Sequence, residues 1–210
     1  MRRSATSAVL AGVMLAVVNI AAAQPPGPPP ALTVCLAMSH SVATAARREG
    51  VVLEEVEAIW RPMGVAVRLG GRTDAPCDRL IAVRLDLEAT PEDASNEAAL
   101  GWVPFVGGNA RQLVYLRVSR ARTMLYAVSP GKRPGGMTDL LVAKLLGRTL
   151  AHELGHVLLN SRDHDTTGLM RSRYHAQDVL RDPPADYTLD AEQRARLVAN
   201  HANDTRLARR

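Results

Sequence analysis

Apolar residues alternate with polar or small ones along Leu32–Met38, Val65–Leu69 and Leu80–Leu87, the period of two that predicts strands with one buried face. From Val42 to Trp60 the apolar positions recur at helical spacing instead, and Arg61-Pro62-Met63-Gly64 ends that run. A strand, helix, strand unit therefore opens the domain. After a polar loop through Asn96, the segment Leu100–Phe105 contains Pro104, which has no N–H to give to a ladder, so an edge strand or extended segment is expected there. Gln112–Val118 predicts a further strand, Arg120–Val128 a short helix, and Gly131–Gly136 a break. Thr138 is then expected to cap a long helix running to Leu159, with Leu140, Leu141, Leu145 and Leu146 turned to the sheet. Asp190–Asn200 reads as a final helix with Leu189 and Leu197 facing inward, followed by a loose tail after Asn203. Together these segments predict one α+β domain, a mixed twisted sheet of about four or five strands packed on the long helix.

The N-terminal stretch reads differently from the rest. Arg2 and Arg3, an apolar run from Ala8 to Ile20, and Ala21-Ala22-Ala23 before Gln24 are the parts of a secretory signal. A membrane anchor needs about 20 continuous apolar residues, whereas this run is shorter and broken by Gly12 and Asn19. Residues 1–23 are thus expected as a signal peptide, 24–30 as a stiff proline-rich leader, 31–203 as the domain and 204–210 as a flexible tail. A secreted or periplasmic protein follows, with no stable membrane insertion after cleavage. In such an oxidising compartment the two cysteines, Cys35 and Cys77, are expected to be bridged, tying the first strand to the loop before a later one. The 26 basic residues outnumber the 21 acidic ones. Losing Arg2 and Arg3 with the signal narrows that excess, and with aromatics at 3% and no basic stripe interleaved with them, nucleic-acid binding has no support.

The chemistry is concentrated in one place. Three of the six histidines fall between positions 152 and 164, two of them in His152-Glu153-Leu154-Gly155-His156. Histidines four apart on a helix lie one turn above each other, so both imidazoles reach one metal ion. Glu153 sits about 100° round the helix from His152, where its carboxylate reaches a water in the open fourth position of a three-ligand site more readily than it reaches the metal. That is the placement of a general base. Leu150, Ala151, Leu154, Val157, Leu158 and Leu159 surround these polar groups, and ionisable side chains buried among leucines need a partner or a metal. Asn160-Ser161 stops the helix, because asparagine follows glycine in tolerating the left-handed position at a helix end. The chain then turns back and can bring His164 to the metal as third ligand; Asp163, Asp165 and, from the last helix, Glu192 are the alternatives with oxygen donors. Either aspartate could instead hold a ligating imidazole by its other nitrogen.

Leu145–Met170 resembles the active-site helix, third histidine and methionine turn of the metzincin clan of zinc peptidases, and the layout from Ala151 to Arg171 is also similar to that of small secreted bacterial zinc peptidases. The register departs from the clan pattern H-E-x-x-H-x-x-G-x-x-H, which expects glycine at 159 and histidine at 162, where this chain has Leu159 and Arg162. A helix ending at Asn160 and a longer loop to His164 account for the difference. The resemblance implies a zincin-like domain with one catalytic Zn2+, an apolar floor under the histidines from Met170 after Gly168, and an edge strand at 100–105 that lines the cleft with Trp102 near a subsite. It also implies that Tyr174 could polarise a substrate carbonyl, while His175 reads as merely exposed.

The function these features point to is a secreted zinc-dependent endopeptidase acting on peptide or protein substrates, with Glu153 as general base. Two other readings use the same residues: a zinc-stabilised binding protein without turnover, and a zinc amidase for peptidoglycan-type substrates. A fourth protein ligand on the metal would favour the binding protein.

Overall fold

The computed structural model describes residues 32–38, 46–70, 76–86, 99–128, 136–173 and 186–208. Strands β1 (Leu32–Met38) and β2 (Val65–Leu69) span the ranges their alternation predicts and pair in parallel, Leu32 with Val65 through Leu36 with Leu69. Parallel neighbours need a crossover, and helix α1 (Ala46–Trp60) supplies it. The expected start of that helix at Val42 lies outside the described residues. A 3-10 turn at Arg61–Met63 ends it, with Gly64 at φ 77°, a left-handed conformation that costs glycine nothing.

On the other side of β1 runs β3 (Arg79–Asp86), also parallel, one residue earlier than its pattern suggests. Three two-residue strands follow, β4 (Gly101–Trp102), β5 (Phe105–Val106) and β6 (Asn109–Ala110), and then β7 (Leu113–Arg117). The main sheet has the order β2-β1-β3-β7-β4, parallel except for β4, which pairs antiparallel to β7 at the edge. Five strands in a mixed sheet agree with expectation. The α+β class does not: parallel strands joined by a helical crossover make this a mixed α/β sheet, a distinction that alternation along single strands cannot reveal because it belongs to their pairing. The expected edge strand is likewise split. Gly101 and Trp102 pair with the sheet, with Leu100 O beside them accepting from Arg117 N–H of β7 at 2.8 Å; Pro104 separates them from Phe105, which starts a hairpin turning at Gly107 and Gly108, both at positive φ.

Helix α2 (Val118–Val128) begins directly after β7, and helix α3 (Gly136–Leu159) is the long helix. Because α3 starts at Gly136, Thr138 lies inside its first turn and is not its cap. Leu145 and Leu146 are buried and Leu141 partly so, but Leu140 is 38% exposed and turned away from the sheet. The last helix, α4 (Ala191–Ala208), is opened by a reciprocal cap in which Gln193 N–H donates to Asp190 Oδ1 at 2.8 Å and Asp190 N–H donates to Gln193 Oε1 at 3.1 Å. It continues past Asn200 through the positions expected as a tail, as far as Ala208.

What fixes α3 matters most for the site. Its Gly147 passes so close to α1 that a Cβ would lie 2.6 Å from Glu55 Cβ and 2.9 Å from Val52 O. In that crossing Arg148, 1% exposed, donates to Glu55 Oε2 at 3.0 Å, with Lys144 Nζ 3.7 Å from the other oxygen. Trp60, fully buried at the end of α1, donates from Nε1 to Ala151 O at 3.1 Å, next to His152. Leu150, Leu154 and Leu158 are buried on α3; burying such a side chain contributes about 1.5–3 kcal/mol. A disulfide joins Cys35 in β1 to Cys77 just before β3, as expected. Among the described residues, no helix is long and apolar enough to cross a membrane.

Candidate metal centre

His152, His156 and His164 come together with one ligand atom each, all within 4.8 Å of one another. The helix sets the first pair by its period, and the turn sets the third. Asn160 takes a left-handed φ of 47°, ending α3 where the sequence predicts, and Ser161 N–H closes back on His156 O at 3.2 Å. The reversed chain then delivers His164, whose Nε2 lies 3.2 Å from that of His156; His156 Nε2 is 3.1 Å from that of His152.

The outer nitrogens explain the inner ones. His152 Nδ1 lies 2.7 Å from Leu169 O, and His156 Nδ1 lies 2.7 Å from Ser161 O. A carbonyl oxygen only accepts, so each Nδ1 carries the hydrogen and each neutral ring turns a bare lone pair inward at Nε2. The rings are held neutral. Burial, with the neighbouring histidines adding to it, pushes His152 down to about 3, and burial pushes His156 down to about 4. Two lone pairs 3.1 Å apart repel, and a cation between them removes the repulsion. Zinc–nitrogen bonds of about 2.0–2.1 Å in a tetrahedron set nitrogens roughly 3.4 Å apart, close to the two spacings of 3.1 and 3.2 Å from His156 Nε2. The donor set thus fits a Zn2+ ion.

The alternative oxygen donors are engaged elsewhere. Asp163 accepts from Ser161 Oγ at 2.6 Å and lies 3.8 Å from Arg196 Nη1, Asp165 accepts from the amide of Gln193, and Glu192 pairs with Arg196 at 3.2 Å on the exposed face of α4. Neither aspartate holds an imidazole. Backbone carbonyls do so, because the tight turns after His156 and His164 bring Ser161 O and Leu169 O against the rings.

Met170 is buried against α3 at Gly155, between the two histidines of the helix. Its sulfur occupies the space a Cβ on Gly155 would need, so the glycine between the histidines is what admits the methionine. Gly168, at φ 73°, makes the turn; a Cβ there would lie 2.6 Å from Thr188 O, the same oxygen that accepts from Leu169 N–H at 2.9 Å. Met170 is thus packed on α3 between the two histidines of the helix, and the need for Gly155 to admit it is what sequence reading missed.

Glu153 is 5% exposed, and burial pushes its carboxyl up to about 8, although a cation beside it acts in the opposite direction. Strand β4 packs close to it: a Cβ on Gly101 would lie 3.1 Å from Glu153 Cγ and 3.0 Å from Thr149 Cγ2. The histidines and Glu153 face an open cleft of about 860 Å³ whose other walls include Leu100–Val103, Phe105, Met124, Arg162 and Arg171–Arg173. Trp102 is half-buried in that wall, stacked on Tyr115 with centroids 4.5 Å apart and with the Arg117 guanidinium over its ring at 5.1 Å. It is thus neither a core tryptophan nor a free one. The β5–β6 hairpin is fastened to the end of α3, where Asn160 accepts from Ala110 N–H at 2.7 Å and donates to Asn109 Oδ1 at 3.1 Å. This rim was invisible in the helical and strand periodicities, though Gly107-Gly108 carries the signal of a two-residue hairpin turn. Tyr174 and His175 lie outside the described residues.

No family model matches the chain, and no curated protein does. Among solved structures it is similar to archaemetzincin from Methanopyrus kandleri, at 16% identity and a TM-score of 0.42 over 85% of this chain and 98% of that one. The likeness is distant, and the reading of the site rests on its own geometry.

Proposed function

We propose that this chain is an exported zinc-dependent peptidase. The observation that carries the reading is the convergence of three imidazoles, His156 Nε2 lying 3.1 Å from that of His152 and 3.2 Å from that of His164 and all three ligand atoms within 4.8 Å of one another, two of the rings with their Nδ1 hydrogens tied to backbone carbonyls, beside a buried glutamate in an open cleft. His152, His156 and His164 would hold Zn2+, which when bound supplies a Lewis acid and lowers the pKa of water. The Leu169 and Ser161 carbonyls keep two of the rings aimed and neutral, which spares the site the cost of rotating them. Glu153 takes a proton from the attacking water on its carboxylate and returns it to the leaving nitrogen, a transfer that a carboxyl raised above its ordinary value by burial is suited to make. Strand β4 offers its outer edge to an extended peptide, and Trp102 walls the cleft beside it.

With Asp163, Asp165 and Glu192 all engaged elsewhere, no described carboxylate closes the fourth position, which supports the enzyme over the metal-stabilised binding protein. The signal-like residues 1–23 and the Cys35–Cys77 disulfide support export. The test is metal analysis of the purified protein together with cleavage of casein and a peptide library, with and without chelator. Glu153→Gln should retain about one zinc per chain and lose at least about a hundredfold in kcat. Full activity in that variant, or a purified wild-type protein without zinc, would sink the reading.

A further inference from the structure

The cleft walls are unbalanced in charge. Arg162, Arg171 and Arg173 line it, and among the described lining residues the only carboxylate is Glu153. The acids nearest in sequence are turned to other work: Asp163 to Ser161 and Arg196, Asp165 to Gln193. Two of the three cations are also fixed in place by stacking. The Arg162 guanidinium lies over the Phe105 ring at 4.7 Å, against the β5–β6 hairpin, and that of Arg171 lies over Tyr187 at 4.9 Å. A guanidinium stacked by its face keeps its N–H donors in the plane, directed outward at its rim, and has already given up most of its rotamer freedom. Arg162 is exposed on the turn between His156 and His164, so those donors face an incoming chain.

We infer, on the peptidase reading above, that the cleft selects extended peptides with acidic side chains close to the scissile bond, and that Arg162 is the residue that recognises the carboxylate while Arg171 and Arg173 supply the surrounding positive field. The position that breaks the register between the two last histidines thereby becomes a specificity determinant. Asn160 supports it by fastening the hairpin that carries Phe105.

The test measures binding separately from turnover. Zinc-loaded Glu153→Gln protein is titrated with fluorescein-labelled peptides of one sequence in which two central positions are Glu, Gln or Lys, both ends blocked; a fourth peptide keeps the Gln sequence but has a free C-terminus. The Glu peptide should bind about fivefold to thirtyfold more tightly than the Gln peptide, as one partly shielded charge-assisted hydrogen bond provides, and the Lys peptide more weakly than either. Raising the salt from 0.05 to about 0.5 M should shrink the difference. Adding Arg162→Gln should remove most of it, whereas Arg68→Gln, an exposed position on β2 at the opposite edge of the sheet, should leave it intact. Equal binding of the Glu and Gln peptides, tighter binding of the free-terminus peptide alone, or an equal effect of Arg68→Gln would overturn the inference. Wild-type protein that binds the Glu peptide selectively yet cleaves none of the four would count against the peptidase reading and leave the recognition standing.

Discussion

Gly155→Ala sets two physical effects against each other at the centre of the site. In a helix interior, replacing glycine with alanine normally stabilises by about 0.5–1 kcal/mol, because alanine loses less backbone entropy on folding. Here the new Cβ would overlap Met170 Sδ and lie 3.2 Å from its Cε. A methionine is usually compliant, but Met170 is 1% exposed and follows Gly168 and Leu169, which are held against Thr188 O, so its side chain has nowhere to go. Overpacking of this kind costs about 1–3 kcal/mol. The clash therefore wins, and the variant should be destabilised by about 1–2 kcal/mol, a fall of roughly 2–8 °C in Tm for a domain of this size. Pressure on Met170 also moves its neighbour Leu169, whose carbonyl aims His152. Disturbing such a partner typically weakens metal binding about tenfold to a hundredfold. Urea denaturation of the metal-free protein measures the first effect, and competition with a chromophoric zinc chelator measures the second. Met170→Ala combined with Gly155→Ala should cost less than the sum of the two single changes, with a coupling of about 1 kcal/mol or more. If Gly155→Ala raised stability by the helix-propensity increment and left zinc affinity unchanged, the proposed packing of methionine against the metal helix would be refuted.

Three further outcomes are expected. Replacing Cys35 and Cys77 with serine opens a loop of 42 residues and should cost about 4 kcal/mol, read as a lower urea midpoint that matches the wild type under reducing conditions; a loss below about 1 kcal/mol would argue that the bridge constrains nothing in the unfolded chain. Glu55→Ala should cost about 3–5 kcal/mol, because Arg148 would remain buried at 1% exposure without its carboxylate, and a thermal scan showing less than about 1 kcal/mol would show that the α1–α3 crossing does not depend on the pair. For chelator-treated protein, the three buried titrating groups predict a stability maximum near pH 6.5. Below 6.5 the unfolded chain protonates His152 and His156 first, so stability falls toward acid; above it the folded state alone keeps the Glu153 proton up to about 8, and with the remaining histidine titration opposing it about 1 kcal/mol is lost between pH 6.5 and 8. Glu153→Gln should abolish that alkaline decline, and parallel profiles of the two metal-free proteins between pH 5 and 9 would contradict it.

The sequence by itself determined whatever depends on local backbone geometry. The period of two in Leu32–Met38 and Val65–Leu69 marks β1 and β2 over their observed ranges, the period of the helix puts His152 and His156 on one face, and Asn160 ends that helix because its side chain tolerates φ 47°. The cysteine count pointed to the Cys35–Cys77 pair for a similarly simple reason, since only two are present. Tertiary structure decided the rest. Parallel pairing, and so the α/β class, belongs to contacts between strands that no single strand encodes. Two carboxylates suited to orient the imidazoles were plausible from their spacing, but the turns that bring His164 round also bring Ser161 O and Leu169 O to the rings and send Asp163 and Asp165 outward. Gly155 between the histidines looks like a mild helix breaker until Met170 is seen in the space it leaves, and Arg162 looks like a missing ligand until it is found over Phe105 at the cleft. Each of these depends on which distant groups share a small volume, a matter settled by close packing of the whole domain rather than by the period of any segment.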